Sequence, residues 1–171
     1  PPSRHRWLCN FSSNLKDADM QVKIRKLQPE AITPTYATDG SGCFDIYACM
    51  SFSHLSARGE GANPHDRVVQ VPTGLSFEIP VGHELQVFSR SGHGFNHMVK
   101  LVNSTGIIDS DYRGELFVGL QNDGWHDFKV CHGDRIAQGH VVPVEHVEFI
   151  EVADELSATE RGTGGFGSTG A

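Results

Sequence analysis

At 171 residues the chain has the length of one domain, large enough to bury a core and too short for two comfortable ones. Hydrophobic residues at 38 % and charged residues at 20 % exclude a fibrous or wholly disordered chain. A formal charge of −7 without a Lys/Arg cluster excludes non-specific nucleic-acid binding, and no apolar run approaches the roughly 18 residues of a membrane-spanning helix.

Residues 1–19, PPSRHRWLCNFSSNLKDAD, hold no sustained period and read as a flexible extension ahead of a domain at 20–159. From Met20 onward the signal is β. QVKIRKL (21–27) alternates like a strand, and apolar or alternating runs follow at 44–48, 68–71, 75–79, 85–88, 99–102, 116–120, 128–130, 141–144 and 147–152. Gly, Pro, Asn and Asp separate them. A short helix fits 92–98 or 154–159, and the polar segment 51–67, SFSHLSARGEGANPHDR, reads as a long exposed loop. Many short strands divided by turn formers predict a sandwich, a jelly roll or a barrel-like fold, followed by a Gly-rich arm at 160–171.

Cys9, Cys43, Cys49 and Cys131 stand at unrelated spacings with no CxxC, and no secretory leader is recognised. Free thiols in a reducing cytoplasm are the expectation. The ten histidines contain no HExxH and fall mostly in loop-like sequence, so they read as solvated imidazoles.

Five stretches carry chemistry. In ATDGSGCFDIYA (37–48), Asp45 lies inside an otherwise apolar strand, where a carboxylate needs an Arg, a backbone N–H or a hydrated metal. In FSRSGHGF (88–95), Arg90, Ser91 and Gly92 join a planar donor, a hydroxyl and a flexible N–H just after a strand, which suits an anion. NSTGIIDSDYRGE (103–115) sets Asp109 and Asp111 beside Tyr112, bracketed by Gly106 and Gly114 as in a tight hairpin. Asp there serves either the turn's own backbone or a water held for reaction. In GDRIAQ (133–138), Arg135 and Gln138 flank Ile136 and Ala137.

The fifth stretch, ERGTGGFGSTGA (160–171), matches G-x-G-x-x-G, but a dinucleotide turn requires a following helix and only four residues remain after Gly167. Its glycines allow backbone N–H groups close to a phosphate, as they also allow a frayed end. Arg161 and Phe166 add a phosphate-pairing cation and a ring able to stack on a base.

Taken in sequence order, these five stretches resemble the five motifs of the trimeric dUTPases, over about Met20 to Gly170. The resemblance implies an all-β, jelly-roll-like subunit forming a threefold homotrimer whose active sites draw on all three chains. It implies hydrolysis of dUTP to dUMP and pyrophosphate with Mg2+ on the triphosphate, limiting uracil in DNA and supplying dUMP for dTMP synthesis.

On the same resemblance, Asp109 activates the water that attacks the α-phosphorus, and Asp45 faces the metal through water. Arg90, Ser91, Gly92 and Gln138 contact phosphates. Asn103 with the backbone of Gly106, Ile107 and Ile108 reads uracil, Tyr112 packs under the deoxyribose, and Phe117 lines the nucleoside pocket. Arg161 grips the γ-phosphate, Phe166 stacks over uracil, and Gly167, Ser168 and Thr169 add phosphate contacts as the arm closes. Three positions depart from the family pattern: Cys43 and Met98 stand where glycine is common, and Ser89 where proline often precedes RSG.

Two other functions are weighed against this one. The related dCTP deaminases carry a proton-shuttling Glu about ten residues after the motif-three Asp, where this chain has Gly119. A non-catalytic module that uses the nucleotide site to switch a partner protein would draw on segment 51–67 and the N-terminal extension.

Overall fold

The alternation in QVKIRKL yields β1 (Lys23–Lys26) in the computed structural model, which describes residues 20–59 and 63–165. There follow β2 (Thr35–Tyr36), β3 (Phe44–Tyr47), β4 (Phe52–Leu55), β5 (Val68–Pro72), β6 (Leu75–Glu78) and β7 (His83–Phe88). A single helix, α1 (Ser91–His97), precedes β8 (Val99–Leu101), β9 (Thr105–Ile108), β10 (Phe117–Asn122), β11 (Phe128–Cys131) and β12 (Arg135–Pro143). The all-β, jelly-roll-like expectation holds. No helix among the described residues is long and apolar enough to cross a membrane.

Every ladder is antiparallel, in four small sheets: β1-β6, β5-β10-β8, β11-β4 and β2-β3-β12-β7-β9. Their inward positions supply one core. Leu75 and Phe77 of β6, Leu85 and Val87 of β7, Val118 and Leu120 of β10 and Ile136 of β12 are almost wholly buried. The period of two in the sequence is what puts these residues on one face. Gly139 in β12 lies under the Phe44 ring, where a Cβ would come within 2.4 Å of a ring carbon.

Five local expectations are corrected. Segment 51–67 is not all loop: Phe52–Leu55 pairs with β11, because Leu55 is fully buried in the core, and Pro64–Arg67 forms a 3-10 turn capped by the Asn63 side chain. The run at 141–144 belongs to a nine-residue strand that begins at Arg135. Flanked by β3 and β7, its backbone finds partners on both sides, and that outweighs the polar sequence of GDRIAQ.

Residues 147–152 form no strand, since no ladder partner meets them among the described residues. Val147, Phe149, Ile150 and Val152 are exposed, Phe149 to 92 %. No helix forms at 154–159 either, a stretch too short to repay nucleation without packing. The expected Gly106–Gly114 hairpin is absent: β9 crosses to pair with β7, and 109–116 is a loop. The thiols of Cys43, Cys49 and Cys131 are free as expected, while Cys9 and the rest of 1–19 lie outside the described residues.

Candidate active site

One row of the five-stranded sheet collects the first group of expected site residues. Thr35 pairs with Asp45, Asp45 with Gln138, Gln138 with Phe88, and Phe88 with Thr105. Asp45 is buried on this row, and both its oxygens are taken. Oδ1 accepts from Arg90 Nε and Oδ2 from Arg135 Nη1, each at 3.2 Å. Of the partners left open by the sequence, arginine is the one present. Gln138 donates from Nε2 to the Ser89 carbonyl at 3.1 Å, tying β12 to the turn that carries Arg90.

That turn opens α1. Arg90 is its N-cap but makes no side-chain cap bond, so the first-turn amides of exposed Ser91 and Gly92 remain open, as at any uncapped helix start. Two of the departures from the family pattern now have a structural meaning. The Ser89 hydroxyl accepts the Leu101 N–H at 2.9 Å, a bond proline lacks the side chain to make. Met98, the C-cap, sits at φ 56°, the left-handed region where glycine is unstrained.

The base of α1 is held by Asn122, which is fully buried. Its Nδ2 donates to the carbonyls of Leu55, Ser56 and His126, and its Oδ1 accepts the Gly124 N–H. A Cβ on Gly124 would fall 2.4 Å from the His97 carbonyl oxygen, so this turn packs directly against the helix end.

The second group gathers on loop 109–116. Asp109, Ile107, Ile108, Tyr112 and Phe117 line a cavity of about 330 Å3 together with Gln70, Glu115 and Leu116. A smaller hollow of about 90 Å3 adjoins it, lined by Asn103, Gly106, Ile107, Ile108 and Phe117 among others. The two share Ile107, Ile108, Leu116 and Phe117, so a small niche opens directly beside a larger chamber. Gly106 backs the niche, since a Cβ there would stand 3.3 Å from that of Val87.

Tyr112 holds its place because Gly114 has no side chain: a Cβ at 114 would fall within 2.3 Å of the Tyr112 oxygen. That hydroxyl donates to the Glu115 carbonyl at 2.9 Å. Three residues given no role by sequence reasoning fix the loop. Arg113 Nη1 donates to the Ser110 and Tyr112 carbonyls, Ser76 Oγ donates to the Arg113 carbonyl, and Glu115 Oε1 accepts the Gly74 N–H. Arg113 and Glu115 were visible in YRGE as a conspicuous charged pair; Ser76 carried no signal, since only the fold brings β6 under the loop.

Arg161 joins neither group. Its Nε donates to the Gly164 carbonyl of its own turn at 3.1 Å, and it is exposed. Phe166, Gly167, Ser168 and Thr169 lie outside the described residues. Among the described residues no cluster of three His, Cys, Asp or Glu is arranged to hold a metal directly. Mg2+ keeps several of its waters and needs no all-protein cage, and Asp45 is the carboxylate that stands beside Arg90.

The small niche opens beside a carboxylate and a tyrosine on an antiparallel fold, and the dUTPase family profile, which puts the chain in a nucleotide-handling class, matches residues 29–170. The chain belongs to the dUTPase family. It is 47 % identical over 151 residues to the deoxyuridine 5'-triphosphate nucleotidohydrolase of Helicobacter pylori (strain ATCC 700392 / 26695), covering 88 % of this chain and 97 % of that protein. The Nautilia profundicola enzyme of the same name is 44 % identical over 151 residues, with coverage of 88 % and 99 %.

Among solved structures, a Staphylococcus bacteriophage 80alpha dUTPase with dUPNHPP superposes with a TM-score of 0.76 at 23 % identity, covering 88 % of this chain and 99 % of that one. A dUTPase from phage phi11 of S. aureus, described with a structural Mg(II) ion, gives 0.67 at 19 % identity, with coverage of 78 % and 97 %. Both share the fold.

Proposed function

We propose that the protein hydrolyses dUTP to dUMP and pyrophosphate, keeping uracil out of DNA and supplying dUMP for dTMP synthesis. The observation that carries this reading is the shared wall between the small niche and the chamber of Asp109 and Tyr112. Family membership over most of the chain supports it from outside the site.

The niche receives the uracil ring. Asn103 and the backbone of Gly106, Ile107 and Ile108 meet its polar edge, and close packing leaves no room for the 5-methyl group of thymine. Tyr112 lies under the deoxyribose, where a 2′-hydroxyl would collide with its ring. Asp109 orients a water and takes its proton as the water oxygen bonds to the α-phosphorus, while the α–β bridging bond breaks and pyrophosphate departs.

Arg90, Gln138 and the first-turn amides of Ser91 and Gly92 hold the departing phosphates. Asp45 would face a hydrated Mg2+ held by the triphosphate, which would supply charge neutralisation. The arm brings Arg161 to the γ-phosphate and Phe166 over the base, with Gly167, Ser168 and Thr169 adding contacts.

The working form is a homotrimer. Two features support assembly: the site residues of one chain fall into two separate groups, and the apolar residues at 147, 149, 150 and 152 stand exposed without cover. Free cysteines support a reducing cytoplasm. Pyrophosphate release from dUTP, dTTP, dCTP and UTP with Mg2+ tests the reading; it requires dUTP to be strongly preferred, and equal turnover of all four would overturn it. Ammonia released from dCTP would shift it to deamination.

A further inference from the structure

A half-buried titratable side chain beside the phosphate-side group is left over by this mechanism. His93, on the first turn of α1, packs edge-on against Phe128 with ring centroids 5.2 Å apart, and its Nδ1 is buried without a hydrogen-bond partner. Packing alone does not account for it. A leucine or phenylalanine would fill the same space without burying an unpartnered polar atom.

The ring forms part of the wall of a cavity of about 310 Å3 whose other members include Arg90, Asp134 and Arg135. The charged groups facing His93 come from each neighbouring element. Arg90 and His97 stand at the two ends of α1, Arg135 on β12, and Asp134 on the turn after β11; β11 itself offers only Phe128 and Val130. Asp134 is the one carboxylate on that wall among the described residues, and its Oδ2 already accepts the Cys131 N–H at 2.7 Å. Asp45, reached through both guanidiniums, spreads one negative charge over two arginines.

We propose that His93 is a further polyphosphate-facing residue of this chain, which takes up a proton as the substrate's phosphates reach Arg90, so that nucleotide binding is linked to proton uptake. The proposal rests on the dUTPase reading above and adds to it a residue and a linkage.

Without ligand, two guanidiniums crowd a half-buried imidazole, and burial, Arg90, His97 and Arg135 together hold it below its ordinary value, against Asp134. A phosphate chain at Arg90 reverses that field. The incoming proton comes from solvent and no bond to phosphorus changes. Once protonated, the ring is a cation on the cavity wall that the phosphates approach.

The test is calorimetry of a non-hydrolysable imido analogue of dUTP, with Mg2+, at pH 7 in two buffers of different ionisation enthalpy. Wild type should take up measurably more protons than His93→Gln, approaching about one per bound nucleotide. Its affinity should also rise more steeply than the variant's as pH falls from 8 to 6. His97→Gln, which removes one of the charges facing His93 and leaves Arg90 and Arg135 in place, should keep the proton uptake that His93→Gln loses. His93→Asn serves as a second neutral variant should the glutamine not fold. Equal proton counts in wild type and a folded His93 variant, with dUTP hydrolysis intact in wild type, would overturn this proposal alone; no binding and no hydrolysis by wild type would overturn the dUTPase reading and this proposal with it.

Discussion

Arg90 and Asp109 leave the β7–β9 ladder at opposite ends. Phe88, two residues before Arg90, pairs with Thr105, whereas Ile108, just before Asp109, pairs with Leu85. Three residue steps separate those rungs, about 10 Å of ladder before either flanking residue is added. Arg90 is held near Asp45 and Gln138, and Asp109 near Tyr112, so the phosphate end and the nucleoside end are built at different places on one chain. A site shared between copies joins Asp109 of one to Arg90 of another, which is the physical content of the proposed trimer.

Asp109→Asn should keep the fold and bind the imido analogue of dUTP while turnover falls by about 10²–10⁴, the usual contribution of a positioned base. Asp109 is exposed on its loop and makes no side-chain bond that holds the loop, which is pinned instead through Arg113, Ser76 and Glu115. Steady-state release of pyrophosphate beside a binding isotherm checks this. Undiminished hydrolysis would remove Asp109 from the mechanism.

Asp45→Asn should lower stability by about 1–3 kcal/mol, because it leaves Arg90 and Arg135 without their shared counter-charge. The cost stays below that of breaking a fully buried pair, since the Arg135 side chain is half exposed. Metal-free binding of pyrophosphate should tighten in the same variant as the two guanidiniums are freed. Urea denaturation and pyrophosphate titration measure the two effects, and weaker metal-free binding would contradict this picture.

Met98→Gly should raise stability by about 1 kcal/mol. Met98 occupies the left-handed C-cap of α1 and is half exposed, so little packing is lost when the side-chain strain is relieved. The shift in melting temperature reads this directly; a loss would mean that the Met98 side chain packs more usefully than its exposure indicates.

Acid should destabilise the fold through His93. Burial, Arg90, His97 and Arg135 depress its folded-state value, so the unfolded chain binds the proton more readily. The stability His93 contributes is therefore complete above its ordinary value of about 6.5 and is lost as pH falls below it. From pH 7.5 to 5 the melting temperature of wild type should fall further than that of His93→Gln. Parallel curves would show that the imidazole does not titrate in this window.

Removing residues 160–171 should leave the domain folded, since Arg161 bonds only to its own turn and the core lies wholly before it. Turnover of dUTP should nonetheless collapse. Normal hydrolysis by the truncated chain would take the arm out of the mechanism.

The sequence by itself determined the class of fold, because a period of two carries burial directly: Leu75 and Phe77, or Leu85 and Val87, face inward whatever the topology around them. It also fixed the family, since five stretches in order are a local and additive signal. Which arginine answers Asp45 was not in the sequence, where Arg90 and Arg135 lie 45 and 90 residues away. Nor was the strand at Phe52–Leu55, whose polar surroundings hide one buried leucine, or the fate of 147–152, which looks like a strand and has no ladder partner among the described residues. Pairing across long separations depends on which backbones meet, and only the tertiary structure decided that.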